Sequence, residues 1–203
     1  MKKLLMLVAC CGILAGCGGG TRVIDTNDSR AVADMRDVME LEYRDWERTA
    51  EHMLDSMMKN RVFANTKNPV IAMGPMVNDT MQRFDTDMLV RRIRVYLVNN
   101  GHAQFATNFT GEDTTSNAVR AQRGNAEFDV STIAGTGTLV APNFSLSGKM
   151  LQRNIPVDTC WLCASKTRVE YYLQMVLTDV RTGLSVWEEE RPIIKEGRRA
   201  PTW

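Results

Sequence analysis

The stretch 169–178 constrains the fold more than any other part of the chain. Val169, Tyr171, Leu173, Met175 and Leu177 alternate with Glu170, Gln174 and Thr178, a period of two that places one apolar and one polar side on a long strand. Residues 179–183 form a turn, and residues 184–187 return as the partner strand of a hairpin. Upstream, Phe144, Leu146 and Gly148 alternate with Ser145, Ser147 and Lys149 and lead into Met150-Leu151-Gln152. The C-terminal third is therefore an antiparallel run with one face to cover.

The covering elements lie earlier. Over residues 34–63, Met35, Met39, Tyr43, Trp46, Ala50, Met53, Leu54, Met57 and Met58 recur at spacings of three and four, which predicts a long amphipathic helix. This stripe reads as core, with an adaptable thioether-lined partner face as the alternative. Asn68-Pro69 ends the helix, and Val70-Ile71-Ala72-Met73 predicts a short buried strand stopped by Gly74-Pro75. Asn78-Asp79-Thr80 reads as a turn. A second helix starts at Asp85 or Thr86 as N-cap and carries Leu89, Ile93, Tyr96 and Leu97 on one face, until Asn99-Asn100-Gly101 ends it. A strand over 103–107 and a weakly apolar helix over 114–122 follow. The expected class is α/β bordering on α+β: a small mixed sheet ending in a long antiparallel hairpin and flanked by helices.

The N-terminus sets where the chain goes. Lys2 and Lys3 precede an apolar or small run over residues 4–15, too short for a bilayer span of roughly twenty residues and suited to a secretory signal. Leu14-Ala15-Gly16-Cys17 resembles the bacterial lipobox, whose cysteine is acylated and becomes the new N-terminus. An ordinary signal peptide ending in an unrelated cysteine is one alternative. A buried N-terminal helix is another, disfavoured by Gly18-Gly19-Gly20. The chain thus divides into a leader over 1–16, lipidated Cys17 with a flexible tether over 17–33, and one domain over 34–203. The tether reaches about 50 to 60 Å fully extended and about 20 to 25 Å on average. Gly18 is not the Asp that retains lipoproteins of this pattern at the inner membrane, so the periplasmic face of the outer membrane is expected.

Charge excludes one class of partner. Of 25 Lys+Arg and 24 Asp+Glu, leader removal takes Lys2 and Lys3 and leaves 23 against 24, no field for a phosphate backbone. Nucleic acid is therefore not expected.

Chemistry is sparse. Of five cysteines, Cys10 and Cys11 leave with the leader and Cys17 is the lipidation site. Cys160-Trp161-Leu162-Cys163 lies between two strand-like segments, whereas a redox pair needs a strand-to-helix corner to lower its first thiol's pKa. In an oxidising envelope a local disulfide between Cys160 and Cys163 is the reading, with thiol redox catalysis as the alternative. Two cysteines with His52 and His102, fifty residues apart, lack the spacing of a zinc site. No G-x-S-x-G occurs, and Gly135-Thr136-Gly137 is too short for a phosphate loop. Asp85 with Asp87 reads as helix-start charge, and Glu188-Glu189-Glu190 as a solvated strand end. No catalytic residue, cofactor, metal or small-molecule substrate is expected, and periodicity singles out no partner-binding residue.

Several of these residues carry a family resemblance. Leu146-Ser147-Gly148-Lys149, the run from Tyr171-Tyr172-Leu173 to Arg181-Thr182-Gly183, and Val186-Trp187 resemble the C-terminal half of the LpoB family of outer-membrane lipoproteins. Asn78-Asp79-Thr80 and Asn99-Asn100-Gly101 resemble that family's turn after its first core strand and helix end before its second. The resemblance implies a fold like the N-terminal domain of TolB. It also implies function by contact: a tethered domain that binds a class A penicillin-binding protein and stimulates peptidoglycan synthesis. A structural lipoprotein of envelope or surface-appendage assembly and secretion is the alternative.

Overall fold

A computed structural model describes residues 30, 38–107, 114–157 and 166–198. Cys17, Cys160 and Cys163 lie outside these residues, as do the leader and most of the tether. The unit Val38–Trp203 is built on three strands of fourteen residues each: β3 (Phe144–Val157), β4 (Lys166–Asp179) and β5 (Ser185–Arg198). They run antiparallel in sequence order, with Leu146 opposite Leu177 and Leu177 opposite Trp187. The alternation in the sequence becomes one buried face: Val169, Tyr171, Leu173, Met175 and Leu177 are all sealed from solvent. Gly183 closes the β4–β5 turn at φ +71°, a conformation glycine adopts without a Cβ penalty.

On the other side of β3 lies β1 (Val70–Asp79), parallel to it, and beyond β1 the two-residue β2 (Gln104–Phe105), also parallel. The sheet order is β2-β1-β3-β4-β5. β1 and β2 are joined over α3 (Thr86–Asn99), a strand–helix–strand crossover. The sheet is thus mixed and the class is α+β, as the class boundary in the sequence reading allowed. Asn143 holds the strand starts together: its Oδ1 accepts from Val70 N at 2.9 Å, its N donates to Val70 O at 2.8 Å, and its O accepts from Val180 N at 2.9 Å.

Three expectations need correction. β1 does not stop at Gly74-Pro75 but runs on to Asp79, with a register shift between Met73 and Met76. The bulge gives Pro75 a place outside the regular ladder, the one setting in which an internal strand tolerates a missing N–H. The long helix does not span 34–63. α1 is Tyr43–Lys59, and the described residues before it, 38–42, are not helical. Asp45 accepts the N–H of Glu42 at 2.9 Å, closing the helix start there. At the other end Asn60 turns extended and caps the separate α2 (Arg61–Ala64), its Oδ1 accepting from Val62 N at 2.9 Å. Finally, the strand expected over 103–107 pairs through only Gln104 and Phe105.

Other readings hold. Asp85 caps α3 by accepting from Asp87 N at 2.9 Å, Gly101 ends it at φ +72°, and α4 is Thr114–Ala121. Asn78 Oδ1 accepts from Thr80 N at 3.1 Å and from Thr80 Oγ1 at 2.7 Å, which makes the Asn78-Asp79-Thr80 turn. The methionine stripe is core: Trp46, Ala50, Met53, Leu54 and Met57 of α1 join Leu89, Val90, Ile93 and Leu97 of α3 over the inner sheet face. Each such fully buried side chain contributes about 1.5 to 3 kcal/mol. Tyr96 and Asp55 tie the two helices, the hydroxyl donating to Asp55 Oδ1 at 2.6 Å. Among the described residues no helix is long and apolar enough to cross a membrane.

Candidate functional site

The titratable groups that would carry chemistry are scattered. His52 is exposed on α1, and His102 is exposed in the bend after Gly101. Asp85 is occupied as a helix cap. Glu188-Glu189-Glu190 is not the strand end expected, because β5 runs on past residue 187 to Arg198 under its pairing with β4; Glu189 is paired with Arg191, and Glu190 accepts from Gln174 Nε2 at 2.5 Å. Gly135 lies in a loop and accepts from Arg123 at 2.6 Å through its carbonyl oxygen. Among the described residues no group of three or more His, Cys, Asp or Glu is placed to hold a metal ion.

What the strands do assemble is a second sheet face. Because cross-strand partners share a side, the register places Leu151, Tyr172 and Pro192 in one row, Arg153, Glu170 and Ile194 in the next, and Ile155, Arg168 and Glu196 beyond. The buried residues of α1 and α3 all join the opposite face. At the centre of the outer face, Tyr172 donates its hydroxyl to Glu170 Oε2 at 2.7 Å. That bond, then burial and the carboxylate's charge, holds the Tyr172 hydroxyl above its ordinary pKa, with Arg153 opposing. Glu170 is 9% exposed, so the tyrosine ring and its neighbours screen a carboxylate on the face opposite the described helices α1 and α3. Ile194 is 58% exposed and Val77 46%. Charges ring the centre: Lys149 pairs with Asp79 at 2.6 Å and Arg168 with Glu196 at 3.0 Å.

A half-buried tyrosine and an exposed arginine among aliphatic side chains, with paired charges around them, is the composition of a protein-contact surface. The alternation in the sequence put Glu170, Gln174 and Thr178 on the polar side of β4, and the register agrees. Tyr172 was not singled out, because a tyrosine in an alternating strand gives no sign of which face lacks a covering element.

Residues 45–193 match the family model described as peptidoglycan-synthase activator LpoB. The chain belongs to the LpoB family. LpoB proteins are, by that description, activators of a synthase rather than synthases themselves. Solved structures also align. The LpoB C-terminal domain from Salmonella enterica is 16% identical with a TM-score of 0.45, covering 73% of this chain and 98% of that one. Escherichia coli LpoB, solved by NMR, is 14% identical at 0.42, covering 88% and 85%. The PelC dodecamer from Paraburkholderia phytofirmans is 16% identical at 0.32, covering 66% and 78%. Membership of the LpoB family rests on the sequence model, since these superpositions all score below 0.5. No curated protein sequence matches the chain.

Proposed function

We propose that this chain is a lipid-anchored activator that binds a class A penicillin-binding protein from the periplasmic face of the outer membrane and raises its rate of peptidoglycan synthesis. The observation that carries this reading is the family match over residues 45–193. Lys2, Lys3, the apolar run and Leu14-Ala15-Gly16-Cys17 support the anchor, and Gly18 in place of Asp supports the outer membrane. Acyl chains on Cys17, at about 0.8 kcal/mol per buried methylene, would hold the domain on the membrane without a spanning helix. Cys160 and Cys163 are read as a disulfide that stiffens the β3–β4 connection.

Activation by contact needs a surface, and the outer sheet face centred on Tyr172 and Arg153 is the one we assign to the synthase. Truncating an anchor residue at the centre of such a surface costs about 2 kcal/mol or more, some thirtyfold in affinity. The test is capture of a synthase from solubilised envelopes by the full mature chain, followed by glycan polymerisation with the recovered enzyme. Stimulation that Tyr172→Ala and Arg153→Glu abolish, with unfolding midpoints unchanged, is the expected outcome. No synthase recovered and no rate change would refute the activator reading. Recovery that both variants leave intact would refute only the surface.

A further inference from the structure

Residues 38–41 run past Lys195 of β5 and Tyr171 of β4 to Gln82 beyond β1. They lead directly into α1, and among the described residues no main-chain hydrogen bond ties 38–41 to a strand. Side chains hold them instead. Lys195 of β5 donates its Nζ to Val38 O at 2.9 Å and to Glu40 O at 2.7 Å, and also pairs with Asp45 of α1. Gln82, between β1 and α3, clasps Leu41 at both ends of its peptide unit: its Oε1 accepts from Leu41 N at 2.7 Å, and its Nε2 donates to Leu41 O at 3.0 Å. Tyr171 donates its hydroxyl to Met39 O at 3.4 Å.

Two apolar side chains complete the attachment. Leu41 is 5% exposed within the core cluster. Met39 lies over Gly197, so close that a Cβ at 197 would stand 2.7 Å from its sulfur. Lys195 itself is nearly covered, its side chain 11% exposed. The segment is a strap, fastened at a few points by groups that belong to the sheet and remain there when it leaves.

We propose that residues 38–41 form a latch that undocks as a unit while Glu42, the cap of α1, stays with α1 and the sheet. A strand in the same place would be held by a ladder, and its loss would open the sheet edge. A strap held by side chains opens by breaking those contacts alone, a local transition below global unfolding. The tether expected over 17–33 lies N-terminal to it. With the anchor at Cys17, which rests on the proposed function, undocking adds four residues and about 14 Å of extended reach. Tension on the tether is borne first by Lys195 and Gln82.

The latch is tested on the mature chain by amide exchange of Leu41, followed by NMR, against the amides of β4 around Leu173. No synthase is involved, so the result stands or falls apart from the activator reading. Leu41 exchange is expected to be protected in the wild type but at least about 100-fold faster than that of Leu173. Lys195→Met should accelerate it about tenfold or more and leave Leu173 within about twofold. Gly197→Ala, which touches neither hydrogen bond to Leu41 but displaces Met39, should do the same. The latch is overturned if Leu41 and Leu173 exchange at one rate, if both accelerate together in the variants, or if neither variant moves Leu41.

Discussion

Gly148→Ala probes the point where the β1 bulge meets the centre of the sheet. A Cβ at Gly148 would lie 2.6 Å from the Gln174 carbonyl oxygen of β4 and 2.6 Å from Met76 Sδ. Ordinary contact begins near 3.4 Å, so the methyl group is about 0.8 Å too deep on both sides. The two obstacles differ. Met76 ends in a flexible thioether that can rotate away, whereas the Gln174 carbonyl belongs to β4, fixed between β3 and β5. Inserting one methyl group into such a site costs about 1 to 3 kcal/mol. The midpoint of this range lowers the melting temperature by about 4 to 8 °C. Gly148→Ala in the Met76→Ala background should regain about 0.5 to 1 kcal/mol, the part owed to sulfur. Gly124→Ala, with nothing within 4 Å of its added Cβ, is the control and should fall within about 0.5 kcal/mol of wild type. Urea unfolding followed by circular dichroism gives all four values. If Gly148→Ala matches the Gly124→Ala control, the claim that the bulge packs against a glycine-only position is wrong.

Two further outcomes rest on the geometry and a third on the sequence. Asp85→Ala removes the α3 cap and should cost about 1 kcal/mol by urea unfolding, while Asp85→Ser stays near wild type. The hydroxyls of Tyr171 and Tyr96 are both pushed up to about 12 from the ordinary 10.0. Burial and then the charges of Glu40 and Asp45 act on Tyr171, and the bond to Asp55 followed by burial acts on Tyr96. Because the fold favours their neutral forms, stability is intact below pH 10 and falls as pH rises towards 12. Urea midpoints at pH 9 and pH 11, with tyrosinate absorbance as the titration signal, check this; a midpoint that rises over that interval contradicts it. For Cys160 and Cys163, thiol titration of the denatured mature chain should find no free thiol before reduction and two after it, and the paired serine variant should keep its synthase stimulation. Loss of stimulation in that variant would revive the redox alternative.

The readable parts of the sequence share one property: their signal is local. β4 was legible because five alternating apolar residues each report the same buried face. The α3 cap, the Asn78 turn and Gly101 were legible because each acts within three residues of itself. Where sequence reading failed, a distant partner had decided. Gly74-Pro75 reads as a stop in isolation, but Met73 and Met76 pair with Leu146 and Gly148 on a strand some seventy residues away, which carries β1 through the bulge. Met39 continues the helical spacing of α1, yet it is taken by Gly197 and Tyr171 on the far strands.

The sequence by itself therefore determined the one-faced strands, the amphipathic helices, the family and the expected lipid anchor, all written in spacing and short motifs. The tertiary structure alone decided which sheet face the described helices take and how residues 38–41 are fastened. The faces differ because α1 and α3 both pack on one of them, and a strap exists only when Lys195, Gln82 and Tyr171 converge on it from separate elements. Both are properties of topology, which no single stretch of side chains records.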